Sequence, residues 1–303
     1  MGPAFTPRAL NLLEPRFHEL VDAMLDAAEA RGGMNVITDY AAQLPVQIIG
    51  DMLGVPRSER GPLREWSLAI LGALEPVPTE EALAWGNRSV REFSDYLAFH
   101  TERYRAGRLK EGGEVLGMLL AEGREGDRLS DVELVQNCIF LLNAGHETTT
   151  NLIGNGIAAL LDHPDQLERL RAAPDLIGTA VEEFLRFESS NQLGNRRMVE
   201  RVELSGVTFE PGDLLTLCIG AANRDPEQFP EPDRLDIARQ PNRHLAFAAG
   251  IHACAGMTLA RLEGRIAIGK LVQRFPRFRN AGSFVRGGRA RFRGFLSYPI
   301  VFD

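Results

Sequence analysis

Between Val135 and Leu161 the sequence reads VQNCIFLLNAGHETTTNLIGNGIAALL, apolar around nearly the whole circumference of a helix. A soluble chain can hide such a helix only by wrapping others around it, so the segment predicts a buried central helix. Its start is well marked. Ser130-Asp131-Val132-Glu133 fits a capping box, in which Ser130 satisfies a free amide and Glu133 reaches back to the cap. No apolar run approaches the roughly 18 uninterrupted residues that span a bilayer, so no membrane partner is expected.

The rest of the first two-thirds reads as helices of ordinary length. Apolar residues at helical spacing over 10–30 stop at Arg31-Gly32-Gly33, and a second run over 39–53 ends at Gly54-Val55-Pro56. Further helices are expected over 58–74 and 79–106, broken by Pro76 and Pro78, and near 114–122, before the turn GREGDR. After the central helix come helices near 164–172 and 175–187. Past residue 193 the pattern changes to short strand-like runs around Ser205-Gly206 and Pro211-Gly212. A proline-rich meander follows, AANRDPEQFPEPDRLDIARQPNRH, of a length that is uncommon without a function or a tight packing partner. A last helix runs to about Phe275, ahead of a tail rich in glycine and arginine. Without repeats or a linker, the chain is expected to form one domain over 1–303, mainly α with small β-sheets.

Composition narrows the partners. Hydrophobic residues make up 44 % and charged residues 25 %, as in a soluble globular protein with a sizeable core. The net charge of −7 argues against nucleic acid, which would require a basic face. Three cysteines, Cys138, Cys218 and Cys254, without paired spacing make a disulfide framework improbable and point to a reducing, cytoplasmic setting. The N-terminus MGPAFTPRAL carries no basic segment followed by an apolar one, so it does not read as a signal peptide.

Three local constellations could carry chemistry. In Ala144-Gly145-His146-Glu147-Thr148-Thr149, a glycine, an acid and hydroxyls interrupt the apolar helix. Glycine there costs about 1 kcal/mol relative to alanine, and a buried carboxylate needs a partner or a proton. Threonine can turn its hydroxyl onto the preceding turn and open the helix. The group could relay protons to something bound beside the helix, or it could be a kink whose Glu147 pairs with an arginine. Glu183 and Arg186, at i and i+3, share a helix face, a spacing common on surface helices. In FAAGIHACAG (247–256), glycines allow close approach to a flat ligand, and Cys254 lies just before a helix N-terminus that would favour a thiolate. Such a thiolate is a soft iron ligand; a buried structural thiol is the plain alternative. A zinc site from His244, His252 and Cys254 lacks a fourth ligand, and a nucleophilic cysteine lacks a clear base and oxyanion hole.

Together, in this order, the three segments resemble the cytochrome P-450 superfamily of haem-thiolate monooxygenases: AGxET at Ala144–Thr148, ExxR at Glu183–Arg186, and FxxGxHxCxG at Phe247–Gly256. Weaker echoes lie in AFTPR (4–8), LPVQIIGDMLGVP (44–56), ANRDPEQFPEPDRLDIAR (222–239) and NRHLAF. The resemblance runs from about residue 4 to the C-terminus and is nearest to soluble bacterial members. It implies the P-450 fold with the N-terminal part missing. It also implies haem (heme b) whose iron takes Cys254 as axial thiolate, a donor that favours O–O bond cleavage. His252 and Arg196 would meet haem propionates, Phe247 and Gly256 would pack against the ring, and Ala144 and Gly145 would line the distal groove. Glu147 and Thr148 match the acid–alcohol pair that delivers protons. Glu183, Arg186 and Arg239 would form the ion-pair network that clamps the meander. Substrate contacts would come from Leu142, Asn191, Phe295 and Leu296. The implied activity inserts one atom of O2 into a small organic substrate, with electrons from a ferredoxin- or flavodoxin-type donor.

Three departures stand out. Ser190 and Asn191 replace a proline and an apolar residue common in bacterial relatives, predicting a more polar pocket wall. Ala248 and Ala255 replace the usual glycine and leucine of the cysteine loop. The front of the chain is also short by roughly a quarter relative to this type, so a second reading stays alive: an incomplete or degenerate family member with weak or no haem binding and no independent catalysis.

Overall fold

The computed structural model describes residues 7–108, 114–120 and 129–303. Part of the AFTPR echo, residues 121–122 and the turn GREGDR lie outside the described residues. Helix α1 (Pro7–Ala30) ends where expected, followed by strand β1 (Gly33–Asn35) and a π-helical turn (Val36–Ala41) whose first amides are capped by the Asn35 side chain. Helix α2 (Gln43–Leu53) stops at Gly54, which takes a left-handed conformation at φ 68°; this is a favoured glycine terminus. Helices α3 (Gly61–Gly72) and α4 (Glu80–Arg105) form a hairpin, with Trp66 stacked on Phe93 at 5.1 Å. A short α5 (Glu114–Leu120) precedes α6 (Asp131–Asp162).

Both halves of the α6 capping box form: Ser130 accepts from the Glu133 amide, and Glu133 accepts from the Ser130 amide at 2.8 Å. As its composition dictates, α6 runs through the centre, packed by α2, α3, α4, α7 (Pro164–Ala172), α8 (Ile177–Phe187) and α10 (Met257–Arg274). Gly156 permits a close approach. A Cβ there would lie 2.8 Å from Ile268 and 2.9 Å from Phe184, so α6, α8 and α10 pack at a distance only glycine allows.

The sheets are small and antiparallel. β2 (Leu193–Arg197) pairs with β5 (Leu214–Cys218), and β3 (Val202–Leu204) with β4 (Val207–Phe209). A four-residue helix α9 (Ile219–Ala222) then opens the meander. Near the C-terminus, β6 (Phe278–Asn280) and β1 flank β9 (Pro299–Phe302), while β7 (Val285–Arg286) pairs with β8 (Phe295–Ser297). Among the described residues no helix is long and apolar enough to cross a membrane.

Candidate functional site

The interruption in α6 opens one face of an otherwise buried helix. Phe140 is 62 % exposed, Ala144 is exposed and Thr148 half-buried; at spacings of four they form one stripe. Thr148 donates its hydroxyl to the Ala144 carbonyl at 2.6 Å, leaving the oxygen lone pairs free to accept. Gly145 faces α2 instead, where a Cβ would stand 2.9 Å from Ile49. Leu142, expected as a substrate contact, is fully buried in the core. Two residues along a helix is a turn of about 200°, so the residue presented on the open side is Phe140.

Glu147 is buried, and both its oxygens accept from Arg289 at 2.6 Å. Burial raises its carboxyl above the usual range despite the opposing pull of Arg289 and Arg64. Arg289 also donates to the Leu68 carbonyl of α3 at 2.9 Å, so it ties the C-terminal turn to two helices. This residue escapes sequence reasoning. It sits in the glycine- and arginine-rich tail, 142 positions from its partner, with no motif around it. Beside it, His146 is fully buried; burial, then the Arg64 charge, lowers its pKa to about 3. The ring is therefore neutral, with Nδ1 3.1 Å from the Ser67 hydroxyl.

On the opposite side, α8 supplies the acid of the clamp. Glu183 and Arg186 are fully buried and pair through two bonds of 2.8 and 2.9 Å. Arg239 joins them, its Nε donating to both Glu183 oxygens at 3.1 and 3.2 Å. Asn242 and the Asp236 amide add further donors. Arg186 and Arg239 donate onward to carbonyls of Asn223, Pro230, Glu231, Pro232 and Arg234. An irregular segment is thus fixed by one buried acid and two guanidinium groups, each with many donors in a rigid fork.

The cysteine loop follows. The Cys254 amide donates to the Phe247 carbonyl at 2.9 Å, and the thiol, half-buried, sits at the entry to α10. Burial pushes the Cys254 thiol up, and the Gly256 amide and the Arg261 charge pull it down by less. The thiolate-favouring effect expected of the helix terminus is therefore outweighed by desolvation in the free thiol. Gly250 adopts φ +64°, and Ala248 adopts +55°, a left-handed conformation that costs an alanine about 1–2 kcal/mol. His252 is exposed. Arg196 is half-buried on β2, and among the described residues its hydrogen bond goes to the neighbouring Asn195 carbonyl at 2.8 Å. Among the described residues neither is paired with a carboxylate. His244 does not turn toward Cys254; its Nε2 lies 3.1 Å from Glu182. Among the described residues no three His, Cys, Asp or Glu side chains form a group that could hold a metal ion.

Of the remaining expected contacts, Asn191 bridges to Phe292 near the wall of the C-terminal turn, and its Oδ1, like the buried Ser190 Oγ, has no hydrogen-bond partner among the described residues. Phe295 is enclosed by Phe284 and Tyr298, with Arg286 over its ring at 4.0 Å. It is a packing residue of the β8 strand, and its neighbour Leu296 is the exposed one.

Comparison with known proteins shows the family of the chain. The cytochrome P450 family model matches residues 87–279. The chain is 41 % identical over 302 residues to the biotin biosynthesis cytochrome P450 of Bacillus subtilis, covering 99 % of this chain and 75 % of the relative. It is 45 % identical over 273 residues to vitamin D(3) 25-hydroxylase of Pseudonocardia autotrophica, covering 89 % and 65 %. Its fold matches the crystal structure of P450BioI in complex with hexadec-9Z-enoic acid ligated acyl carrier protein. There the TM-score is 0.94 at 39 % identity, over all of this chain and 77 % of that one. Myxobacterial CYP267B1 in complex with myristic acid matches at a TM-score of 0.91 and 40 % identity, over 100 % and 74 %. With its acid–alcohol helix, buried ion-pair clamp and cysteine loop in this fold, the chain belongs to the cytochrome P450 family of haem monooxygenases.

Proposed function

We propose that the chain forms a haem-thiolate monooxygenase domain, with Cys254 as the axial ligand, which oxidises an organic substrate using O2 and electrons from a ferredoxin- or flavodoxin-type donor in the cytoplasm. The observation that carries this reading is the donor set. Cys254 is the one thiol of its loop, half-buried, and among the described residues no three His, Cys, Asp or Glu side chains group there to hold a metal ion. One thiolate suits an iron whose other protein-independent ligands come from a macrocycle. The open stripe of α6 offers packing surface for a flat ring, and Arg196 and His252 offer two donors for its carboxylates. Bound there, the haem supplies the redox centre for oxygen activation.

The chain's own residues supply positioning and protons. Thr148, with its hydrogen committed to the Ala144 carbonyl, presents an acceptor oxygen on the open face. Glu147, one residue before it, holds or releases a proton at Oε; Arg289 favours the ionised form, and burial favours the protonated acid once that ion pair loosens. The turn carrying Arg289 touches α3, so movement of α3 over a substrate would couple binding to proton delivery. Glu183, Arg186 and Arg239 keep the meander, and with it the floor of the cysteine loop, in one arrangement.

For substrate, two of the solved relatives were seen with a fatty acid or a fatty acyl carrier protein, which supports an extended organic chain. The unpartnered Ser190 and Asn191 favour one with polar functions near the reacting carbon, since buried polar atoms seek partners. The test is turnover with a ferredoxin reductase system, isotopically labelled O2 and a panel of fatty acids, acyl thioesters and hydroxylated analogues. One labelled oxygen per product molecule is expected. Haem-loaded, reducible protein that forms no oxygenated product from any of them would contradict the reading.

A further inference from the structure

Glu182 and Glu183 are adjacent on α8 and project about 100° apart. Glu183 serves the meander; Glu182 faces the cysteine loop and α10. It accepts from Arg261 through two bonds, Nε at 2.7 Å and Nη2 at 2.8 Å, and from His244 Nε2 at 3.1 Å. His244 Nδ1 accepts the Ala246 amide at 3.2 Å, which fixes the tautomer with hydrogen on Nε2 and points it at the acid. Arg261 lies over the Phe247 ring at 4.7 Å, and the Phe247 carbonyl accepts the Cys254 amide at 2.9 Å.

One carboxylate therefore grips the loop on both sides of its cysteine: through His244, ten residues before Cys254, and through Arg261, seven residues after it. Burial alone would raise the Glu182 carboxyl, but the bonds from His244 and Arg261 hold it at about 2. The pairing favours the ionised carboxylate, and the grip from Arg261 is bidentate. We propose that Glu182 is the positioning residue of the ligand loop, holding Cys254 in place through His244 upstream and through Arg261 stacked on Phe247 downstream. This inference rests on the reading of Cys254 as the axial ligand. In α8, two consecutive acids divide the labour: one locks the meander, the other locks the ligand.

The test uses E182Q, R261K and H244Q, with R265A, an exposed neighbour on α10, as the control. Two readouts are needed. The first is the ratio of red-shifted to unshifted Soret absorbance in the reduced carbon monoxide form. The second is the alkylation rate of Cys254 in haem-free protein at fixed pH, followed by peptide mass spectrometry. E182Q is expected to lower the ratio and raise the alkylation rate roughly fivefold to tenfold, because charge-assisted bonds become neutral ones. R261K keeps the charge but loses the fork and the stacking, so it should resemble E182Q; H244Q, which frees one tether, should fall between E182Q and wild type. Wild-type values for both readouts in E182Q and R261K would overturn the proposal. Should E182Q fail to fold, R261K and H244Q decide by the same readouts. A wild-type protein without the red-shifted band would refute the ligand reading instead, and the alkylation rates would still test the tether.

Discussion

The two sides of the cysteine loop and central helix are built on opposite principles. Around α8 and the meander, nearly every buried polar group is matched: Glu183 takes bonds from Arg186, Arg239, Asn242 and the Asp236 amide, and Asn223 holds the Ser189 hydroxyl and the Leu245 amide. Among those side chains only Asn242 Oδ1 is unpartnered. Along α6 and beside it, more buried polar atoms are left over. Asn143 Oδ1, His146 Nε2, Asn151 Nδ2, Asn155 Oδ1, Ser190 Oγ and Arg64 Nε all lack partners among the described residues. A saturated network rigidifies, whereas unsatisfied polar groups mark where a ligand or solvent does work. The contrast separates a saturated side from one with polar atoms to spare.

Removing one acid from each side should break the contrast most visibly. E183Q leaves two guanidinium groups buried against a neutral amide and is expected to cost about 3–5 kcal/mol, enough to lose folded protein. E147Q, where Arg289 is partly exposed and can swing to solvent, should cost about 1–2 kcal/mol and leave the fold intact while slowing turnover. Equal losses in urea titrations would abolish the distinction.

Glu263 on α10 offers a pH-dependent test. It is fully buried, and desolvation raises its pKa to about 8 against a Thr149 hydrogen bond that lowers it. The unfolded acid titrates near 4.5, so between those values the unfolded chain has lost a proton that the folded chain keeps. Stability from this group is therefore intact below pH 4.5, falls as pH rises toward 8, and stays reduced above it. E263Q should thus leave Tm unchanged near pH 4.5 and raise it by several degrees at pH 8.5. A pH-independent difference would show that Glu263 does not titrate this way.

A smaller gain is expected from A248G, which relieves a left-handed alanine in the ligand loop and should stabilise by about 1 kcal/mol; lower stability would mean that φ is not imposed by the loop. Smallest in stability is N191V, expected within about 0.5 kcal/mol of wild type. It should shift spectral binding toward apolar ligands, and an unchanged preference across a ligand panel would remove Asn191 from the pocket wall.

Much of this was legible in the residues. The capping box at Ser130, the burial of α6 and its ending near Leu161, and α10 after the cysteine loop all follow from local rules that the structure repeats. The partnership of Glu183 with Arg186 and Arg239 was expected from family resemblance, since the i, i+3 spacing alone says little. What was not legible depends on tertiary contact. An all-round apolar helix has no moment to announce its open face, so Leu142 was expected where Phe140 lies. Arg289 and Arg261 look like any surface arginine until the fold brings them to Glu147 and Glu182. The pairing of β1 with β9 joins the two ends of the chain, at Gly33↔Val301, and no short-range pattern encodes it. Phe295 reads as a pocket tip only if the strand's two faces are exchanged.

The central claim is that Cys254 holds haem iron from a loop the chain has already shaped. Its direct test is the carbon monoxide difference spectrum of the reduced, haem-supplied protein beside C254A. The strongly red-shifted Soret band of thiolate-ligated haem is expected in the wild type and its loss in the variant. A red-shifted band that survives in C254A, or no haem uptake by folded wild-type protein, would contradict it.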